Sequence, residues 1–192
     1  MVLSNTTLGM LAAAINGSIL LISLPAVFRG IGLKALDPGN INYLLWAIIG
    51  YMIATAVLVV AFGRLGDQFG RAKMYNLGFA IFTAASIALS LLPGQGDFAA
   101  MYLISVRIIQ GIGGALIMAN STALLTDAFP ENERGFALGI NVVAAIGGQF
   151  IGLLIGGLLA DTDWRLVFWI NVPFGLVGTV WAYLKLHDAP NR

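Results

Sequence analysis

Apolar residues run along the chain in long blocks that charged residues interrupt only at intervals. Five stretches contain no charged residue: 1–28, 38–63, 74–96, 135–160 and 166–184. A sixth stretch, 98–126, contains only Arg107. An α-helix rises about 1.5 Å per residue, so about 20 apolar residues cross the roughly 30 Å hydrocarbon core of a bilayer. The pattern therefore predicts six membrane-spanning helices, near residues 8–28, 43–62, 74–92, 101–122, 137–159 and 166–185.

Composition favours the same fold class, an all-α integral membrane protein in which residues 1–192 form a single six-helix bundle. Hydrophobic residues make up 59% of the chain and charged residues 10%, whereas soluble domains average about 45–50% and about 25%. An apolar excess of this size suits a bilayer as the solvent and not an aqueous surface. The lipid bilayer is therefore the first expected partner.

Net charge and the scarcity of reactive side chains exclude several classes of function. The net charge of +1 gives no electrostatic basis for binding nucleic acid. The chain has no cysteine, and its one histidine, His187, lies close to the end of the sequence. Thiolate metal sites and histidine-activated nucleophiles are thereby excluded. We expect no catalytic residue, no metal site and no cofactor, and an enzyme is the least favoured interpretation.

Positively charged residues are distributed unevenly between the two sides of the predicted bundle. One side holds six of them: Arg64, Arg71, Lys73, Arg134, Lys185 and Arg192. The other side holds three: Arg29, Lys34 and Arg165. Because lysine and arginine concentrate in cytoplasmic loops, both termini are predicted to lie in the cytoplasm. The protein is expected to be a multi-pass protein of the plasma membrane.

The pattern Gly-x-Leu-x-Asp-x-x-x-Arg occurs twice, at 63–71 and at 157–165, with an offset of 94 residues. We interpret it as the trace of two three-span repeats, one over about 8–92 and the other over about 101–185. Because three is an odd number, the second repeat would be inverted in the membrane. Inverted repeats are typical of secondary transporters. The alternative is a chance alignment of common residues.

Arg107 is the only charged residue in the interior of a predicted span. A charge there costs about 2.5–3.5 kcal/mol on insertion scales, so it normally faces a cavity or a partner. Snorkelling to the membrane surface is the alternative. Gln110 follows one turn later on the same helix face, and Asn16 in the first span matches Gln110 at the repeat offset. Asn16 could instead form a hydrogen bond between helices.

Glycines are placed where helices or turns would need close backbone approach. In the fifth predicted span they recur at a spacing of four, at Gly148, Gly152 and Gly156. Such a stripe would let another helix approach closely. Between the second and third spans, Gly63 and Gly70 would permit a tight turn.

Five segments, in order along nearly the whole chain, resemble motifs of the major facilitator superfamily. GRLGDQFGR (63–71) is similar to the signature loop of the family, and RIIQGIGGA (107–115) is similar to its span-4 motif. PENERGFALG (130–139) resembles the loop that follows span 4. INGSILLISLP (15–25) and DWRLVFWINVPFG (163–175) resemble spans 1 and 6 of the drug:proton antiporter branch with fourteen helices.

The resemblance implies that the chain is the N-terminal six-helix half of a major facilitator fold. It also implies a secondary active transporter of small molecules that works by alternating access, with efflux of amphipathic compounds as the expected activity. In the family, spans 1 and 4 line the central cavity. Asn16, Arg107 and Gln110 are therefore the expected substrate-binding residues.

The resemblance further implies a gate at the cytoplasmic surface. Asp67 can cap the positive N-terminus of a neighbouring helix, and in the family that helix belongs to the other half of the transporter. Arg71 and Arg134 are expected to orient Asp67, and Gly63 and Gly70 are expected to shape the turn around it. The alternative is a positively charged loop that only sets the topology.

The sequence departs from the antiporter branch at two positions that bear on the driving force. Asn16 stands where the branch usually has an aspartate, and no Asp or Glu lies within a predicted span. The usual proline of the span-5 motif is also missing. Coupling to protons through a membrane carboxylate is therefore not expected in this chain. A facilitator or symporter of polar solutes such as sugars is one alternative, and a membrane scaffold without transport activity is another.

The length of the chain, 192 residues, bears on the expected partners. Family members have two six-span halves, and one half cannot enclose an alternating-access cavity. We therefore expect either a second copy, in a six-plus-six homodimer, or a missing C-terminal half. Closed two-fold symmetry makes the homodimer feasible. In such a dimer, Asp67 of one copy would cap the fifth span of the other copy near Gly135.

Overall fold

The computed structural model describes residues 1–160 and 162–186, which form helices and short connections without any strand. In chain order the helices are α1 (Val2–Gly30), α2 (Ile41–Phe69), α3 (Arg71–Ser90), α4 (Gly96–Ala128), α5 (Glu131–Ala160), α6 (Leu166–Trp169) and α7 (Asn171–Lys185). Six segments are long and apolar enough to cross a membrane, and α6 and α7 together form the sixth. The predicted all-α membrane fold with six spans is confirmed. His187, Arg192 and Asp161 of the second repeat motif lie outside the described residues.

Four of the helices extend well beyond the spans that the sequence predicts. α4 is the longest, at 33 residues, which corresponds to roughly 50 Å along the helix axis. The hydrocarbon core is only about 30 Å thick. The predicted spans were matched to the length that crosses the hydrocarbon core, but a helix continues into the headgroup region, where water and headgroups solvate charges. α2 accordingly includes both Arg64 and Asp67.

The connection between α2 and α3 differs from the predicted turn. Residues 63–69 are the last two turns of α2, and α3 begins at Arg71. Gly70 alone joins the two helices, with φ 106° and ψ 124°, a conformation that is open essentially to glycine only. Gly63 is helical, and an added Cβ there would meet nothing within 4 Å. The expected turn-forming role therefore holds for Gly70 and is wrong for Gly63.

The helices are arranged with α1 and α4 at the centre of the bundle. Within the most apolar part of each helix, 67% of α1 and 61% of α4 is buried, against 22% of α2 and 17% of α5. α1 packs mainly on α5 and α4 mainly on α2, while α3 packs on α4 and α7. In the predicted repeat, α1 corresponds to α4 and α2 corresponds to α5. The α1–α5 pair would then correspond to the α4–α2 pair, and both pairs are in contact.

The glycine stripe of α5 faces α1. A Cβ added at these positions would come against backbone carbonyl oxygens of α1, at distances too short for a real contact. The distances are 2.9 Å from Gly148 to Leu11, 2.7 Å from Gly152 to Ile15 and 2.5 Å from Gly156 to Ile19. The absence of side chains on this stripe thus sets the close separation of α1 and α5.

Two apolar clusters hold the bundle together at opposite ends. One is built around Phe28, Leu103 and Phe168. The other surrounds Tyr75 and Phe79, whose rings pack edge to face with centroids 5.1 Å apart. The second cluster lies toward the end of the bundle where α2 meets α3, which we call the Arg71 end. The candidate site lies in the middle third of the bundle, away from both ends.

Candidate functional site

A cavity of about 540 Å³ lies between α1, α2, α4 and α5. Its walls are mostly Ala, Leu, Ile, Val and Met side chains. The polar side chains that line it are Ser18, Tyr51, Thr55, Arg107 and Gln149. A mainly apolar pocket with a few convergent polar groups is the usual form of a site for small organic molecules.

Arg107 contributes the only positive charge among the described residues that line the cavity. Only 2% of its surface is exposed. Its Nη1 donates a hydrogen bond of 2.7 Å to Gln110 Oε1, and its Nε donates one of 3.5 Å to the carbonyl oxygen of Ala47. The guanidinium carbon lies 4.2 Å from the centroid of the Tyr51 ring. Every one of these partners is formally neutral.

Gln110 lies behind Arg107 and does not line the cavity. Its side chain is fully buried, and its Nε2 donates a 2.8 Å hydrogen bond to Ser86 Oγ on α3. Together with the bond that it accepts from Arg107, this contact links the cavity wall to the α3–α4 interface. Gln110 is therefore placed to position Arg107 and to tie α3 to α4.

Asn16 lies apart from the other two predicted substrate residues. Its exposed fraction is 1%, and its Oδ1 accepts a 3.1 Å hydrogen bond from Asn171 Nδ2 at the start of α7. It is not among the residues that line the cavity. The structure thus brings Arg107 and Gln110 together and turns Asn16 into a contact between α1 and α7, the alternative that its sequence left open.

Tyr51 and Thr55 belong to the cavity wall, although the sequence did not single them out. Thr55 Oγ1 donates to the carbonyl oxygens of Tyr51, at 2.9 Å, and of Gly111, at 3.2 Å. Gly111 permits this approach, because a Cβ there would lie 2.8 Å from the Tyr51 carbonyl oxygen. Two polar residues four positions apart in a predicted span occupy one helix face, and this spacing was the available signal.

A charged cluster at the Arg71 end joins α2, α3 and α4. Arg71 Nη2 lies 2.7 Å from Asp67 Oδ1, and its Nη1 lies 2.7 Å from Asp127 Oδ1. Nη1 also donates to the carbonyl oxygen of Ala123, at 3.1 Å. Asp127 follows the predicted fourth span and was not anticipated as a partner. Arg71 thus holds two carboxylates, each more than half exposed.

Arg134 makes local contacts at the start of α5. Its Nε donates a 3.0 Å hydrogen bond to the carbonyl oxygen of Phe129, and its Nη1 lies 4.0 Å from Glu131 Oε1. No contact between Arg134 and Asp67 occurs in the described part of the chain. Of the two arginines expected to orient Asp67, the structure brings only Arg71 to it.

A polar bridge links α1, α4 and α5 between the cavity and the Arg71 end. Thr7 Oγ1 on α1 donates to Asn141 Oδ1 on α5, at 3.1 Å. Asn141 Nδ2 in turn donates to Ser121 Oγ on α4, at 3.0 Å. This bridge joins three of the four helices that surround the cavity, so their separation is fixed on that side.

In the described part of the chain, six spans surround a mainly apolar cavity whose lining includes one arginine, and these features define a multi-pass membrane protein with an internal cavity. The sequence pattern of the Major Facilitator Superfamily matches residues 6–192. The chain belongs to this superfamily, and the resemblance drawn from its motifs is confirmed. Members of the superfamily are multi-pass proteins of the plasma membrane, so the expected localisation is confirmed as well.

The chain is similar to individual relatives that are named as transporters, one of them as an export protein. The chain is 35% identical to the probable actinorhodin transporter of Streptomyces coelicolor, over 93% of this chain and 30% of that protein. It is 34% identical to the tetracenomycin C resistance and export protein of Streptomyces glaucescens, over 94% of this chain and 32% of that protein. It is 32% identical to the riboflavin transporter RibZ of Clostridioides difficile, over 88% of this chain and 35% of that protein. The chain spans about a third of the length of these relatives.

Proposed function

We propose that this chain is one six-helix half of a secondary transporter that exports amphipathic organic molecules by alternating access. The observation that carries the proposal is the cavity between α1, α2, α4 and α5, because it joins a large apolar surface to a single buried cation, Arg107. The names of two relatives, a probable actinorhodin transporter and a tetracenomycin C resistance and export protein, support the same activity.

The cavity requires a second six-helix body to be a compartment. α2 and α5 are the least buried of the spans, and the cavity lies between them. Polar groups such as Thr55 and Gln149 would otherwise be exposed to hydrocarbon there, which is costly. For the 192-residue chain by itself, the proposed second body is a second copy related by two-fold symmetry. In a polypeptide as long as its relatives, another part of the same chain would take that place.

The composition of the cavity supports amphipathic compounds over sugars. The case for a polar solute rested on Asn16 and Gln110, and both side chains are engaged in contacts between helices. Sugar binding needs many hydrogen-bonding groups, but the walls that remain are mostly aliphatic side chains and methionines. Methionine adapts its shape to varied apolar ligands.

The cluster at the Arg71 end supports a gate on the same side as both termini, which we propose is the cytoplasmic side. The Asp67 side chain is 57% exposed although Arg71 holds it, so one face of the carboxylate is open. We propose that it caps the first turn of α5 in the second body, near Gly135. An added Cβ at Gly135 would meet nothing within 4 Å, so that turn is accessible.

Transport can be tested with a variant that fills the cavity. Gly17 lines the cavity, and an added Cβ there would meet nothing within 4 Å, so Gly17→Leu can project into the space without disturbing the packing. Purified protein in liposomes should release a trapped amphipathic anionic dye such as carboxyfluorescein faster than empty liposomes do. We expect Gly17→Leu to lower the rate about tenfold or more, since a filled cavity has no room for the dye.

The matched control is Gly147→Leu, which adds the same side chain in open space on α5 outside the cavity. It should transport at the rate of the unmodified chain. Absence of dye release by the unmodified chain would favour the scaffold interpretation, and release of radiolabelled glucose in place of the dye would favour the polar-solute alternative. The mass of the protein in nanodiscs should correspond to two copies.

A further inference from the structure

Arg107 carries a charge that no described side chain neutralises. The ion pairs in the described part of the chain involve Arg71 and Arg134 and not Arg107. None of the described residues that line the cavity is an aspartate or a glutamate. A cation buried to this extent normally has an anionic partner, because desolvation of an unpaired charge is costly.

The guanidinium has hydrogen-bonding capacity left over. Its Nε and Nη1 donate to Ala47 and Gln110, and its Nη2 has no hydrogen bond to any described residue. Tyr51 lies against one face of the planar group and Gln110 fixes its orientation. The head group is therefore held in place with a free donor edge, which is the geometry that binds carboxylates.

We propose that the cavity selects amphipathic anions, molecules with an apolar ring system and one carboxylate or similar acidic group, bound with the acidic group toward Arg107. This inference rests on the proposed function and narrows its substrate class. The apolar body of the ligand would lie among the aliphatic and methionine side chains of the walls. The surrounding low dielectric strengthens the attraction between the ligand and the single cation.

The inference predicts a preference among three probes that share one naphthalene ring system and differ in charge. 1-Naphthaleneacetate is an anion, 1-naphthaleneacetamide is neutral, and 2-(1-naphthyl)ethylamine is a cation at pH 7. The measurement is equilibrium binding to the full chain in nanodiscs, with empty nanodiscs subtracted. We expect the acetate to bind about tenfold more tightly than the amide, the usual effect of one charge-assisted hydrogen bond, and the amine to bind most weakly.

Three variants show whether Arg107 is the cause. Arg107→Gln should bring the acetate and amide affinities to within about twofold of each other, and Arg107→Lys should retain a preference for the acetate because it keeps the charge. Arg29→Gln removes an exposed arginine that does not line the cavity, so it should behave as the unmodified chain does. A change that only loosened the fold would weaken all three probes and leave their ratios intact.

Equal affinity for the acetate and the amide, tighter binding of the amine, or no binding of any probe would overturn the inference. So would an acetate preference that persists in Arg107→Gln. The binding measurement is separate from the transport assay. Dye release without any preference among the probes would reject the anion site and leave the proposed transport function standing. A preference for the acetate in a chain that moves no solute would support the anion site and reject the proposed transport function.

Discussion

Arg107 is held in place by a series of hydrogen bonds that runs from the cavity into the bundle. Its Nη1 donates to Gln110, Gln110 Nε2 donates to Ser86 Oγ, and Ser86 Oγ donates to the carbonyl oxygen of Phe82, at 2.8 Å. Each member donates a hydrogen bond to the next, and all three side chains are buried. Loss of one member therefore leaves two buried polar groups without partners, which costs more than the bond itself contributes.

We expect Gln110→Leu to lower the free energy of unfolding by about 1–3 kcal/mol, because it leaves Arg107 Nη1 and Ser86 without their partner. The measurement is thermal unfolding in detergent. The control is Gln149→Leu, which makes the same change at an exposed cavity position and should alter stability by no more than about 0.5 kcal/mol. Equal destabilisation by the two variants would contradict the assigned role of Gln110.

The sequence predicted which of these polar residues share a helix face, but it did not predict which neighbouring helix each side chain contacts. Helical periodicity correctly placed Arg107 and Gln110 on one face of α4. It could not say that Gln110 points toward α3, because the rotation of a helix about its axis depends on all its neighbours. For Asn16 the decisive neighbour was Asn171, which is 155 positions away in the chain and carries no periodic signal.

At the scale of the helices, the close contact between α1 and α5 runs along a line of glycines. The glycine stripe of α5 lies directly on carbonyl oxygens of α1. In a bilayer the hydrophobic effect does not drive helices together, so close packing of this kind is a main source of cohesion. We therefore expect that the contact between α1 and α5 tolerates no larger side chain along the glycine stripe.

We expect Gly152→Ala to destabilise the protein by about 1–3 kcal/mol, since overpacking forces a backbone shift. Its new methyl group would lie 2.7 Å from the carbonyl oxygen of Ile15. Gly147→Ala, five positions earlier on the same helix, meets nothing within 4 Å. That control should be neutral or more stable by about 0.5–1 kcal/mol, because alanine is the better helix former. Denaturant or thermal unfolding in detergent would measure both, and equal effects would contradict the packing argument.

The number of helices was predictable because a membrane imposes a minimum apolar length. The pairing of helices was not, since any apolar face can pack on any other or on lipid. The stripe at Gly148, Gly152 and Gly156 predicted close packing without identifying α1 as the partner. The joint at Gly70 was predictable only in part, because charges such as those of 63–69 are typical of a loop, whereas here they lie in the last two turns of α2.

At the scale of the whole molecule, the bundle has one closely packed side and one open side. α3 and the sixth span pack together behind α1 and α4, whereas α2 and α5 flank the open cavity. The charged cluster around Arg71 lies at one end of this arrangement and leaves Asp67 partly free. If the proposed gate is correct, Asp67 matters to the motion of two bodies and little to the stability of one.

We expect Asp67→Asn to slow dye release from liposomes about tenfold, because an amide is a weaker partner than a carboxylate for a helix N-terminus. Its thermal stability should change by less than about 1 kcal/mol, as is usual for exposed ion pairs. Asp97→Asn is the control, an exposed carboxylate at the opposite end of the bundle. Undiminished transport by Asp67→Asn would remove the gate from the proposal.

The single residue between α2 and α3 has a mechanical consequence. A connection of one glycine provides no slack, so α2 cannot tilt without carrying the first turn of α3 along. That turn contains Arg71, which also grips α4 through Asp127. A force applied at Asp67 would therefore be transmitted through this short connection to α2, α3 and α4 together. The part of the cavity wall that contains Arg107 would move with α4.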